Sequence, residues 1–324
     1  MNWACFTWRY VTKLKACLML AVALTFCLGP LVGTAQNAGA KMRHRFILAV
    51  WIALALGFGN LPAATATDEP RNADVRLYAL DCGAAEFKDI SIMSDTGHYD
   101  GRSAKFADPC FLVRHRKGWL LWDTGLGDAL VGHPQESDSG RLYQTISLKS
   151  QLEELGLSPR DITYVSFSHL HSDHTGNANE FLSSTWLIQR AELKYAKSTP
   201  TPFAVTPATF SGIEKAKTVL LDGDYDVFGD GTVRLLFAPG HTPGHQVLEV
   251  KLSEAGVIVV SGDLYHLREC RHFRQIPAFN TSRADTLASI DRIETILKNT
   301  HGRLIIQHDP KDFESLPKLP GYLK

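Results

Sequence analysis

From Val75 onward the apolar positions follow two rhythms. Stretches such as VRLYALDCG (from Val75), CFLVRHRKG (from Cys110) and WLLWDTG (to Gly125) mix β-branched and aromatic residues in short runs closed by glycine, which predicts strands. The same pattern predicts strands in DITYVSFS, at Thr185–Gln189, Thr218–Leu221, Thr232–Phe237, Gln246–Lys251 and Val257–Ser261, and a last buried one in RLIIQHDP. Two segments switch to the helical period. In SLKSQLEELG, Leu148, Leu152 and Leu155 share one face, with Ser147 placed to cap the helix and Gly156 to end it. From about Ser282 to Asn299, Leu287, Ile290, Ile293 and Leu297 point one way, and Gly302 lies past the end. The polar, glycine-containing stretch Ser91–Pro109 reads as a long functional loop. No short-period repeat is visible. Many strands with a few helices in one domain imply a sheet-on-sheet core covered by helices.

The N-terminus breaks this pattern. MRHRFILAVWIALALGFGNLPAATA, from Met42, has a basic start, an apolar run from Phe46 to about Gly57 and small residues up to Ala66. That is the layout of a secretory signal peptide. Residues 1–66 are therefore expected to be an export signal region, with synthesis starting at Met42 and cleavage after Ala66. Residues 67–324 are expected to form a single periplasmic or secreted domain. The apolar run is shorter than the ~20 residues of a membrane-spanning helix, so no stable anchor is expected after cleavage; one N-terminal anchor helix is the alternative.

Composition narrows the partners. Apolar residues make up 44% of the 324 and charged residues 21%, with a formal net charge of zero, an ordinary globular balance with no basic footprint for nucleic acid. A small-molecule substrate is expected, and a homodimer is compatible with the chain. Cys82, Cys110 and Cys270 remain in the mature part. An odd number leaves at least one thiol free, and the three read as buried residues or as one Cys82–Cys110 disulfide.

The densest chemistry lies in SHLHSDHTGN, Ser168 to Asn177. While the chain stays extended after its strand, His169 and His171 project to one side and can share an ion. Asp173 and His174 are adjacent, diverge from that pair and suit a second ion. Gly176 allows the tight backbone return that follows. Three further strands end in APGHTPGH, SGD and HD, each placing a ligand type, His241, Asp263 or His308, just past a strand end. Ligands converging from strand ends on one rim make a metal site, whereas any one alone reads as a loop or core residue.

HLHSDH, PGHTPGH, SGD and QHD, in this order, resemble the metallo-β-lactamase-fold superfamily over essentially the whole mature chain. The resemblance implies an α+β fold, an αββα sandwich with its site at the strand-end rim. It implies His169, His171 and His241 on the first metal, Asp173, His174 and His308 on the second, and Asp263 bridging. His245 matches no ligand and reads as structural or supporting. Asp123 of WDTG matches a supporting aspartate that orients a ligand imidazole; a turn-forming Asp is the alternative. Seven N/O ligands without cysteine suit two divalent ions, zinc first, with iron, manganese or cobalt compatible. Two such ions sharing a hydroxide attack a carbonyl or phosphoryl centre, and Asp173 can pass a proton to the leaving oxygen.

Asp263 stands where true β-lactamases carry cysteine or serine, and His171 where the di-iron branch carries glutamate. LYALDCG, LEELGLSPRDITYVSFSHLHSDHTGN, PGHTPGHQVL and IPAFNTSRADTLASIDRI resemble the N-acyl homoserine lactonases, quorum-quenching enzymes that open a lactone ring. Some of these place a substrate-contacting tyrosine three residues after the bridging aspartate. Here that position is His266, with Tyr265 one place earlier, so both are candidates for the role. Phe87, Ile90, Ile92, Met93, Phe273, Ile276 and Phe279 can line a groove for an acyl chain or serve as core. The competing readings are a glyoxalase II-like thioesterase, an organophosphate or other ester hydrolase, a non-catalytic carrier, and a mononuclear iron oxygenase of the same fold.

Overall fold

Alternation along the strands sorts their side chains onto two faces, and in the computed structural model, which describes residues 75–324, the apolar faces collect into three separate layers. The proposed signal, its start at Met42 and its cleavage site at Ala66 lie outside the described residues. β1 (Arg76–Phe87), β2 (Ala104–His115) and β3 (Gly118–Trp122) form an antiparallel meander. The short β4 (Gln135–Glu136) and β5 (Gly140–Tyr143) extend it past β1, while β6 (Tyr164–Ser166), β7 (Thr185–Gln189) and β8 (Lys217–Leu221) add parallel strands past β3. The second sheet runs β13-β12-β11-β10-β9, from β9 (Tyr225–Asp226), β10 (Val233–Phe237), β11 (Gln246–Leu252), β12 (Gly256–Val260) and β13 (Arg303–Ile305).

Phe111 and Val113 of β2 face the second sheet and pack with Leu235, Leu248 and Val260. Their neighbours Cys110 and Leu112 face outward, beneath Leu148 and Leu152 of α1 (Leu148–Glu154). On the far side, Leu236, Val247 and Val259 meet Ile290, Ile293 and Leu297 of the long C-terminal helix, Arg283–Thr300. Two sheets between three apolar layers make the expected αββα sandwich.

Both helix starts follow their sequence. Ser147 Oγ accepts from Ser150 N at 3.0 Å and Ser282 Oγ from Asp285 N at 3.2 Å. The C-terminal helix, however, ends on His301 in the left-handed conformation, not on Gly302. Leu287 is only half-buried, while Thr286 and Ser289 join its inner face. The short helices α2 (Ser172–Thr175), α3 (Arg190–Ala196) and α4 (Arg268–Phe273) precede that long helix, α5, and α6 (Pro310–Glu314) follows it. The short ones have too few turns to show a period. No helix among the described residues is long and apolar enough to cross a membrane.

The expected loop Ser91–Pro109 is shorter than its sequence implies, because β2 already starts at Ala104. Pro109 reads as a strand breaker, yet it registers opposite Asp81. Between that pair and Ala84–Ala107, β1 has Cys82 and Gly83 where β2 has Asp108 alone. This bulge absorbs the irregularity. Beside it, Cys82 and Cys110 form a disulfide with Cα atoms 5.7 Å apart, and Cys270 is free and buried.

Candidate metal centre

β6 ends at Ser166, and the chain is still extended at His171 (φ −70°, ψ 158°), immediately before α2. His169 and His171 therefore fall together, and the first turn of α2 carries Asp173 and His174 round to the other side. The residues after β10, β12 and β13 meet them there. His241 Nε2 lies 3.1 Å from His169 Nε2 and 3.3 Å from His171 Nδ1. His308 Nε2 lies 3.3 Å from His174 Nε2, and Asp173 Oδ2 is 4.0 and 3.6 Å from these two nitrogens. Asp263 reaches both groups. Its Oδ2 is 3.3 Å from His241 Nε2 and 3.7 Å from His169 Nε2, while its Oδ1 is 2.9 Å from His308 and 3.2 Å from His174.

The outer ring nitrogens fix which inner ones carry protons. His241 Nδ1 donates to Asn280 Oδ1 at 2.9 Å, His308 Nδ1 to the Ala107 carbonyl at 2.8 Å and His174 Nδ1 to Asp123 Oδ2 at 2.9 Å. In the neutral ring each Nε2 is then a bare lone pair. In the neutral rings of His308 and His174 these lone pairs face one another at 3.3 Å and repel unless a cation, proton or metal ion, sits between them. The donor set fits two divalent ions, one beside His169, His171 and His241, one beside Asp173, His174 and His308, with Asp263 shared.

The electrostatics agree. Burial holds His169 and His241 well below the usual imidazole value and His171 at about 4, so all three stay neutral, as ligands must. Burial opposes charge on His174 and His308 too. Even so, Asp173, Asp263 and Asp123 push His174 well above the usual value, and Asp263 lifts His308 to about 9. This half of the site is short of positive charge, and a divalent ion supplies it.

Supporting groups tie the ligand loops together. Asp123, left-handed at φ 58°, forms the expected turn and also accepts from Ser168 N at 2.6 Å, Gln307 Nε2 at 2.7 Å and His174. His245 donates through Nδ1 to the Ala238 carbonyl, and its Nε2 accepts from Asp263 N, both at 2.9 Å. It holds the backbone of Asp263. Glu192 of α3, unnoticed in the sequence, accepts from Leu170 N at 2.9 Å and Gly244 N at 3.0 Å, joining the loops of His169 and His241. Gly176 is needed for space rather than for a turn: it is right-handed helical, and a Cβ there would stand 2.2 Å from Leu126 C.

The two substrate-contact candidates separate. Tyr265 turns away from the centre, 1% exposed, and its hydroxyl donates to Glu294 at 2.8 Å. The backbone at Tyr265 is extended, so neighbours point to opposite sides and His266 faces the metal ligands. Its Nε2 lies 3.1 Å from Asp263 Oδ2, and its buried Nδ1 has no partner. Above the ligands opens a cleft of about 260 Å³. Phe87, Ile92, Met93 and Phe279 line it, joined by Phe203, 58% exposed. Ile90 and Ile276 are core, and Phe273 packs on His98.

A catalytic rim at the strand ends of an αββα sandwich defines the class. Residues 106–308 match the family model of the metallo-beta-lactamase superfamily, and the chain belongs to that superfamily. The N-acyl homoserine lactonase AttM of Azorhizobium caulinodans is 32% identical over 269 residues, spanning 77% of this chain and 98% of that protein. The N-acyl homoserine lactonase of Bacillus cereus is 26% identical over 224 residues, 66% of this chain and 86% of that protein. An N-acyl homoserine lactone hydrolase solved with N-hexanoyl-L-homoserine at its catalytic metal centre shares the fold, with TM-score 0.67 and 24% identity over 78% of this chain and 100% of that one. The chain is a metal-dependent hydrolase with a two-ion centre.

Proposed function

We propose that this protein opens the lactone ring of N-acyl homoserine lactones by hydrolysis. The observation that carries the reading is the cleft itself. Its floor holds the ligands of two ions and its walls are the apolar side chains of Phe87, Ile92, Met93, Phe203 and Phe279, which suits a polar ester ring joined to an acyl tail. The curated relatives, lactonases by name, support the same substrate class. When bound, the ions supply Lewis acidity toward the ring carbonyl and a water acidic enough to attack at neutral pH. The protein's own groups do the rest. Neutral imidazoles would hold the first ion, and Asp263, within reach of both groups of histidines, would serve both ions. Asp173, whose side chain is 36% exposed at the cleft floor, takes the proton released by the attacking water on Oδ2 and hands it to the ring oxygen as the C–O bond breaks. His266 is held against Asp263 and keeps that carboxylate in place.

The ions proposed are Zn²⁺, with iron, manganese or cobalt also compatible with imidazole and carboxylate donors. Export to the periplasm or beyond is supported by the signal-like segment from Met42 and by the Cys82–Cys110 disulfide, which persists in oxidising compartments. The mature protein is to be tested on homoserine lactones of graded acyl length against S-lactoylglutathione and paraoxon, with metal counted in the same sample. Lactone turnover lost on chelation is expected. A protein that turns over no lactone ends this reading.

A further inference from the structure

One carboxylate at the cleft floor belongs to none of the metal motifs. Asp108 sits in β2 opposite the bulge at Cys82 and Gly83 and is 4% exposed. Its Oδ2 is buried without any hydrogen-bond partner, and its Oδ1 lies 3.9 Å from His308 Nδ1. A buried carboxylate oxygen with no donor is costly, and chains keep one where a cation offsets the cost. The nearest groups that could bring a cation are already known. One ligand atom each from Asp108, His174 and His308 lie within 4.8 Å of one another. The same strand supplies the Ala107 carbonyl that accepts from His308 Nδ1 and fixes its tautomer, so this short piece of β2 lies directly against His308.

We propose that Asp108 contributes its carboxylate to the second metal site, beside Asp173, His174, His308 and Asp263. The inference rests on the two-ion reading above and adds a consequence to it. The first site has three imidazoles and a share of one carboxylate. The second has two imidazoles and three carboxylates, a harder donor set that favours oxygen-loving ions such as Mn²⁺ over the ion preferred next door. The two positions therefore differ in metal preference, and an excess of Mn²⁺ populates the second site first.

The test is titration of the metal-free full protein with Zn²⁺ and with Mn²⁺, wild type against Asp108→Asn, following stoichiometry and affinity by calorimetry and metal analysis. Wild type takes two ions. Asp108→Asn keeps the first with unchanged affinity, which also shows that it folds, and binds the second about tenfold or more weakly, with the larger loss for Mn²⁺. Asp108→Glu restores part of the second affinity. Two ions bound by Asp108→Asn as tightly as by wild type would overturn the assignment, as would a variant with intact metal binding and only a raised KM for lactone, which would turn Asp108 toward substrate. A wild type that binds a single ion refutes the two-ion reading itself, and the two failures are distinguished by which protein shows them.

Discussion

Replacing Glu192 by alanine tests whether the ligand loops are held by one buried carboxylate. Glu192 is 2% exposed and accepts from Leu170 N and Gly244 N, at 2.9 and 3.0 Å. Alanine leaves both N–H groups buried with nothing to donate to, at about 1–3 kcal/mol each. Part of that is returned, because burial already disfavours the charged carboxylate and raises its pKa. A net loss of about 3 kcal/mol follows, or roughly 6–12 °C in melting temperature for a domain of this size. Melting is to be followed by circular dichroism on metal-free protein, so that metal binding does not mask the change, with metal affinity measured separately by chelator competition. Glu192→Gln should fall between the two proteins, since its amide oxygen serves one N–H while its NH₂ opposes the other. A melting shift under 2 °C for the alanine variant, with unchanged metal affinity, would refute the proposed tie.

Three other outcomes are expected. Cys82→Ser removes a cross-link spanning 28 residues and should cost about 3–4 kcal/mol in denaturant unfolding; equal midpoints with and without reductant in wild type would contradict this. Phe203→Ala opens the cleft wall beside Phe279, whose ring lies 5.0 Å away, and should raise KM several-fold for decanoyl but not butanoyl homoserine lactone, from about 1 kcal/mol of lost apolar contact; an equal effect on both would count against Phe203 lining the acyl path. His115 is stacked on Phe228 and bonded to Asp230 at 3.0 Å, and burial holds its pKa below 6.5. The unfolded chain takes the proton first, so stability falls as pH drops below 6.5 towards that lowered folded value, and His115→Asn should flatten this part of the melting-temperature profile; an unchanged slope would dismiss the contribution.

Much of the site was legible because its ligands follow strand ends in a local pattern. His169 and His171 share a side for the reason that any extended i, i+2 pair does, and a four-residue helix turns Asp173 and His174 away. The caps Ser147 and Ser282 and the inner faces of the two main helices were legible for similar reasons, since a hydrogen bond three residues on and a repeat near four are written in neighbouring residues. The choice between Tyr265 and His266 was not legible. Adjacent residues of an extended chain face opposite ways, and which of them faces the histidine and aspartate cluster depends on the direction in which the chain leaves Asp263.

What the sequence by itself determined is a set of seven candidate ligands, the order of the strands that carry them and the layered architecture, all consequences of periodicity and spacing along the chain. Only the tertiary structure decided that the two oxygens of Asp263 straddle two groups, that Gly176 is glycine because Leu126 crosses it, that Glu192 ties two loops, and that Asp108 looks into the site. Each of these joins residues far apart in sequence, such as Ala107 to His308. Such contacts are set by register and by a bulge in the pairing of strands, and a local pattern of apolar and polar residues does not encode them.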